Sequence, residues 1–232
     1  MAQTVAGSAD VLSLPSGGGQ HRGLGETFQP DLQTGTGKYA VPIACPTAAN
    51  GLKPDLVLGY ATGAGNGPFG MGFRLATMSV SRMTRNGVPA YGPDDRFQFS
   101  GAETLLDVGN SRFRLESERS FWLIERHPAH WTVITKDGTS YHLGQSVASQ
   151  IADPDDPAGR VFEWLLDRMV DPHGNEIHYD YLADGAQRYL RSVRYGPFEI
   201  VVDYSADRPD PFLSRRAAFT VHTNLRATTI RI

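Results

Sequence analysis

Gly65, Gly67 and Gly70, inside YATGAGNGPFGMGF (60–73), have the G-x-G-x-x-G spacing of a loop that cradles a dinucleotide pyrophosphate. Such a loop needs a strand leading in and a helix leading out, because the phosphate rests on the free N–H groups of that helix. The strand is present in PDLVLGY, which sets Leu56, Leu58 and Tyr60 on one face. The helix is not: Pro68 follows the glycines, and Phe69, Met71, Phe73 and Leu75 alternate with Gly70 and Gly72 at strand period. The glycines are therefore read as conformational. Gly63, Gly65 and Gly67, with Asn66, supply a tight connection at positive φ, and Gly70 and Gly72 flatten one face for the close approach of another layer. The other glycine run, LPSGGGQHRGLGE, lacks the G-K-[ST] ending of a phosphate loop and reads as an N-terminal arm.

Other reactive side chains do not converge. His127 with His130 and His173 with His178 are near pairs, but neither has a helical setting: a separation of five puts His173 and His178 on opposite faces of a strand, and the turn-like 127–130 has no third ligand close in sequence. Asp153, Asp155 and Asp156 carry oxygen ligands for calcium, yet no closing bidentate Glu follows, and Asp before Pro is ordinary turn chemistry. There is no G-x-S-x-G elbow, and Cys45, between Ala44 and Pro46, reads as a small core hydrophobe. A single cysteine excludes an intrachain disulfide framework. Trp122, Trp131 and Trp164 could stack on a sugar, but core packing is the expected role; Phe121 and Leu123 oppose Trp122 and Ile124, as in a strand covered on both sides. No catalytic, cofactor or metal site is expected.

The elements that hold these residues are strands. With 25 Gly and 15 Pro in 232 residues, punctuation comes every several residues, and the segments between alternate with period two. Tyr39, Val41, Ile43 and Cys45 share a face; Phe198, Ile200, Val202 and Tyr204 alternate against Glu199 and Asp203; Lys136, Asp137 and Gly138 form a hairpin turn. FEWLLDRM is the best helical segment, and it reads as easily as a strand. A net charge of -3 lacks the basic excess that follows a phosphate backbone, so nucleic acid is not an expected partner. No window approaches the roughly 18 apolar residues of a membrane span, so no direct membrane insertion is expected. MAQTVAGSADVL has no basic start and no long apolar run, and does not read as a secretory signal. Composition divides the chain into a disordered tail at 1–13, a β module at 14–150, and a continuation at 151–232 after the connector IADPDDPAGR. Ile230 and Ile232 are still alternating where the chain stops, which reads as an edge strand cut off in mid-sheet.

In order, LPSGGGQHRGLGETF, TGTGKYAVPI, YATGAGNGPFGMGFRL, SRMTRNGVPAY and FSGAETLL, across most of 12–108, resemble the opening of the Salmonella virulence plasmid 65 kDa B protein family. That module also begins the B component of tripartite insecticidal toxin complexes. WLLDRMVDPHGNEIHYDYLADG is similar to one unit of an Rhs/YD-type repeat, with Asp171, Pro172, His173, Gly174 and Asn175 as its turn and Ile177, Tyr179 and Tyr181 alternating on the strand that follows. Such units bury their faces only by stacking on neighbours. The resemblance implies an all-β fold of stacked antiparallel sheets and hairpins, part of an Rhs-like β shell with little helix. It implies a non-enzymatic role: a shell built with a C component, enclosing a toxic C-terminal polypeptide that leaves through an A-component channel. Expected partners are A- and C-like components or the remainder of the same polypeptide. Export would be by a non-classical route from the cytoplasm. The alternative implied is the amino half of an ADP-ribosylating virulence toxin whose catalytic domain lies elsewhere. On either reading Tyr60, Gly65, Gly67, Phe69, Gly70, Gly72 and Phe73, with Asp171, Gly174, Asn175, Tyr179 and Tyr181, are structural packing residues.

Overall fold

Short alternating segments broken by Gly and Pro favour antiparallel pairing over helix. In the computed structural model, which describes residues 27–31, 36–117 and 121–232, the only helical pieces among them are two 3₁₀ turns, Ala49–Gly51 and Val147–Ser149. The tail at 1–13 and the glycine-rich arm lie outside the described residues.

The first sheet has four antiparallel strands in sequence order: β1 (Thr27–Asp31), β2 (Thr36–Pro42), β3 (Val57–Ala61) and β4 (Phe73–Leu75). The second begins as a run of neighbours: β5 (Ser79–Arg82), β6 (Phe97–Phe99), β7 (Glu103–Gly109), β8 (Arg112–Leu115), β9 (Leu123–Arg126), β10 (Trp131–Ile134) and β11 (Ser140–Leu143). After β12 (Gln150–Asp153) comes the 15-residue β13 (Asp156–Val170), long enough for each of its edges to serve two neighbours. Glu163–Leu165 pairs with β5 and Arg168–Val170 with β14 (Glu176–Asp184), while β12 and β11 take the other edge. Pairing with both β5 and β11 closes β5–β11 and β13 into an eight-stranded barrel. From β13 the sheet continues outside the barrel through β14, β15 (Gln187–Tyr195), β16 (Phe198–Ser205) and β19 (Arg226–Arg231). A small hairpin, β17 (Phe212–Ser214) with β18 (Val221–Thr223), lies between β16 and β19 in the chain. The connector IADPDDPAGR thus forms the β12–β13 hairpin inside one sheet, and FEWLLDRM is part of β13.

Alternation fills the barrel from every wall. Val80, Phe97, Leu105, Phe113, Ile124, Trp131, Val133, Leu143, Trp164 and Leu166 are buried in one cluster. At its centre the Trp131 ring lies 4.9 Å from Phe113, 5.0 Å from Phe97 and 6.0 Å from Trp164, all edge to face. This geometry adds quadrupolar attraction to burial. The Arg126 guanidinium lies 4.8 Å from the Phe97 ring centre, and Arg82 lies 5.3 Å from it. Arg82 is also paired with Asp95 at 2.6 Å and donates to the Val161 carbonyl, so its buried charge is matched. The same core runs on under the meander through Ile177, Tyr179, Leu190, Val193, Tyr195 and Ile200.

Two packing expectations are corrected. RSFWLIER is covered on one side only: Ile124 is fully buried and Trp122 packs on the core, whereas Phe121 and Leu123 are exposed, because the other side of β9 is the outer barrel wall. The alternation expected over Phe69–Leu75 holds only for Phe73–Leu75; Pro68–Gly72 is turn, and Met71 points to solvent. Gly70 and Gly72 have φ of 99° and 78°, outside strand geometry, which is why the pattern breaks there.

Candidate functional site: the glycine run, its arginine clamp and the repeat-like turn

The glycine run leaves β3, makes two turns and re-enters the sheet as β4. Gly63 and Gly65 have φ of 100° and 73°, so the backbone bends where a side chain would be strained. Gly67 does not share the positive φ expected for it; its carbonyl is what the fold uses. Gly72 serves a close approach: a Cβ there would stand 2.5 Å from the Tyr60 ring. With that space open, Tyr60 stacks on Phe73 at 4.9 Å, and the Gly72 N–H donates to the Gly65 carbonyl at 2.7 Å. No helix follows, and the N–H groups of Gly67, Gly70 and Gly72 are used inside the loop.

What fixes the loop is a residue far away in sequence. Arg208, whose side chain is fully buried, donates from Nη1 to the carbonyls of Gly67 (3.0 Å) and Leu225 (3.1 Å) and from Nη2 to Asn66 Oδ1 (2.7 Å). Asp210 closes the circuit, pairing with Arg208 Nε at 3.2 Å and accepting from Asn66 Nδ2 at 2.6 Å. These donors, the Asn66 amide first and the Arg208 charge after it, hold the Asp210 carboxyl below its ordinary range. The Ala227 N–H then donates to the Pro68 carbonyl at 2.8 Å, which ties the loop to the start of β19. Sequence reading misses Arg208: its partners lie 141 and 142 residues upstream, and no local pattern marks it.

The repeat-like turn joins β13 to β14. Asp171 accepts from the backbone N–H of His173 and of Asn175, each at 2.8 Å, and from Asn175 Nδ2 at 2.7 Å. The Asn175 side-chain bond leads in holding the Asp171 carboxyl below the usual range, and Gly174 supplies φ of 81°. On β14, Ile177 and Tyr179 are buried, and the partly buried Tyr181 donates from its hydroxyl to the Leu166 carbonyl at 2.7 Å. Burial pushes the Tyr181 phenol well up, so it stays a neutral donor.

The remaining reactive residues are placed apart. The His127 and His130 rings stack at 4.4 Å across the β9–β10 turn, and burial, then the neighbouring His127, lowers the His130 pKa. Asp153 pairs with Arg160 at 2.6 Å. Cys45 is partly buried, and desolvation raises its thiol pKa away from the reactive thiolate. Among the described residues, no group of three or more His, Cys, Asp or Glu side chains is placed to hold a metal ion.

The family model described as Salmonella virulence plasmid 65kDa B protein matches residues 31–126 and 114–194. A mono(ADP-ribosyl)transferase SpvB of Salmonella choleraesuis (strain SC-B67) is 30% identical over 230 residues, covering 79% of this chain and 37% of the relative. The SpvB of Salmonella typhimurium (strain 14028s / SGSC 2262) is 30% identical over 207 residues, 69% of this chain and 35% of the relative. The chain therefore spans little more than a third of these curated relatives. The crystal structure of TcdB2-TccC3 superposes with a TM-score of 0.78 at 25% identity, over 94% of this chain and 14% of that one. The N-terminal domain of effector protein SpvB from Salmonella typhimurium strain LT2 gives 0.70 at 23% identity, over 82% and 86%, a likeness of fold.

Proposed function

Because the chain belongs to the Salmonella virulence plasmid 65kDa B protein family, we propose that it is a non-enzymatic structural module of a toxin-complex B component. Its part is to form a section of a β-rich shell around a toxic polypeptide, secreted to act outside the producing cell. The observation that carries this reading is the superposition of 94% of the chain on TcdB2-TccC3, where it occupies only 14% of the larger chain. Physical features support it. The glycine run that could have held a cofactor uses N–H groups within its own loop and its Gly67 carbonyl as the acceptor of a buried arginine. Tyr60, Gly72 and Phe73, with Asp171, Gly174, Asn175, Tyr179 and Tyr181, serve packing and turn geometry. The partners are then protein: a C-like component, an A-like channel, or the rest of the same polypeptide.

The test is a chimera in which residues 27–232 replace the equivalent segment of TcdB2 and are co-expressed with TccC3. Co-elution of the two as one particle on size exclusion is the expected result. A chimera that folds but leaves TccC3 free would contradict the shell role.

A second reading is favoured by the names of the curated relatives, mono(ADP-ribosyl)transferases of which this chain covers about the amount of an amino-terminal module. Here the same β module would be the non-catalytic half of a transferase toxin. An immunoblot of the producing cell with antibody to the barrel, followed by sequencing of any longer product, separates the two: repeats downstream support the shell, a transferase domain supports the toxin.

A further inference from the structure

Three arginines with no carboxylate ion pair among the described residues line a single cavity. The space, about 690 Å³, lies between the glycine run, the outer side of β13, the meander and the β17–β18 hairpin. That is within the rough 300–1,000 Å³ of small-molecule sites. Phe162, Tyr204 and Phe212 are among its apolar lining, and Arg74, Arg188 and Arg216 stand on its walls. Several other guanidinium groups meet acids, among them Arg82 with Asp95, Arg160 with Asp153, Arg168 with Glu176, Arg194 with Asp180 and Arg231 with Asp203.

The cavity arginines have no such pair among the described residues. Arg74 donates to the Ala64 carbonyl at 2.6 Å, and Arg188 to the carbonyls of Gly185 and Gln187, both at 2.9 Å. Arg188 Nε is buried with no hydrogen-bond partner. The one carboxyl on the wall, Glu163, interacts with Arg74 and not with Arg188 or Arg216; burial raises its pKa against the pull of a Ser79 hydrogen bond and the Arg74 charge. What the cavity wall offers is the positive charge of Arg188 and Arg216 beside apolar side chains, and an ionised acceptor gains most away from bulk water.

We propose that this cavity binds an amphipathic organic anion, its acidic head on Arg188 and Arg216 and its aromatic or aliphatic body against Phe162, Tyr204 and Phe212. The neutral form of an equally apolar molecule would leave the arginine donors unmet. Charge, not apolar area alone, therefore sets the preference.

Two dyes that share a ring system and differ in charge test this: 1-anilinonaphthalene-8-sulfonate and uncharged N-phenyl-1-naphthylamine, titrated by fluorescence into the 232-residue chain. The sulfonate is expected to bind saturably at one site, with the amine about tenfold weaker or worse, the scale of one charge-assisted hydrogen bond. Arg188→Gln and Arg216→Gln should each weaken the sulfonate by about tenfold and leave the amine unchanged. Dodecanoate should displace the sulfonate, and dodecanol should not. Equal affinity for the two dyes, unsaturable binding, or sulfonate affinity unmoved by the substitutions would overturn the proposal. Arg216 is at an exposed position, so Arg216→Gln with the dye pair decides the matter even if Arg188→Gln does not fold.

Discussion

The barrel and the layer outside it bury their surfaces by different chemistry. In the barrel, β5–β11 and β13 point aromatic and aliphatic side chains at one another, and Phe97, Phe113, Trp131 and Trp164 fill the centre in edge-to-face contact. Around the glycine run the fastening is polar: Arg208 joins Gly67, Asn66, Asp210 and Leu225, and Pro68 holds Ala227. An apolar core loses stability in proportion to what is cut out of it. A buried polar clamp loses it when one partner is removed and the others stay desolvated. The first region should thus resist small changes, and the second should fail at particular atoms.

The largest effect expected from breaking this contrast is Trp131→Ala, at about 3–5 kcal/mol by urea unfolding, with barrel and meander melting together because they share one core. Arg208→Ala follows at about 2–4 kcal/mol. Its signature is local: hydrogen exchange should rise at 62–75 and 205–231 while the barrel strands stay protected. Gly72→Ala comes next, at about 1–3 kcal/mol, since it puts a Cβ at positive φ against the Tyr60 ring. Phe73→Ala is expected to cost about 1–2 kcal/mol, below a fully buried phenylalanine, because its ring is only partly covered. A melting temperature unchanged by that substitution would remove Phe73 from the packing account.

The smallest effect is on pH dependence, and the two regions should differ in sign. His130 and His142 flank the barrel end with pKa values lowered chiefly by burial. Their neutral forms give full stability above the unfolded histidine pKa, about 6.5, and that stability falls as pH drops below it. Glu163, on the outer face of β13, has a raised pKa, so its contribution is full below the unfolded carboxyl pKa and is lost as pH rises through the folded one. Thermal midpoints followed across acid and neutral pH should therefore lose their fall below the unfolded histidine pKa in His130→Asn with His142→Gln, and their fall above the unfolded carboxyl pKa in Glu163→Gln.

Much of the barrel is legible in the sequence because its rule is local: inward Trp131 and Val133 alternate with Thr132, and Phe113 and Leu115 with Arg114. What is not legible is closure. That β13 pairs with both β5 and β11 depends on contacts across most of the domain, and nothing near FEWLLDRM announces it. RSFWLIER shows the limit of alternation, which cannot say that Leu123 and Phe121 face water when both flanks are apolar. Around the glycine run, the bends at Gly63 and Gly65 follow from residue type, as does the Asp171 turn with Gly174. Arg208 does not, because an arginine on the way to a buried clamp looks like any surface arginine until the chain is folded.

The most direct test of the shell role is limited proteolysis of the chimeric TcdB2 carrying residues 27–232, in complex with TccC3. On the shell reading, the C-terminal region of TccC3 should be as resistant to protease in that particle as in the TcdB2-TccC3 parent, because the segment would rebuild the same part of the wall. A particle that assembles yet leaves that region open to protease would contradict it.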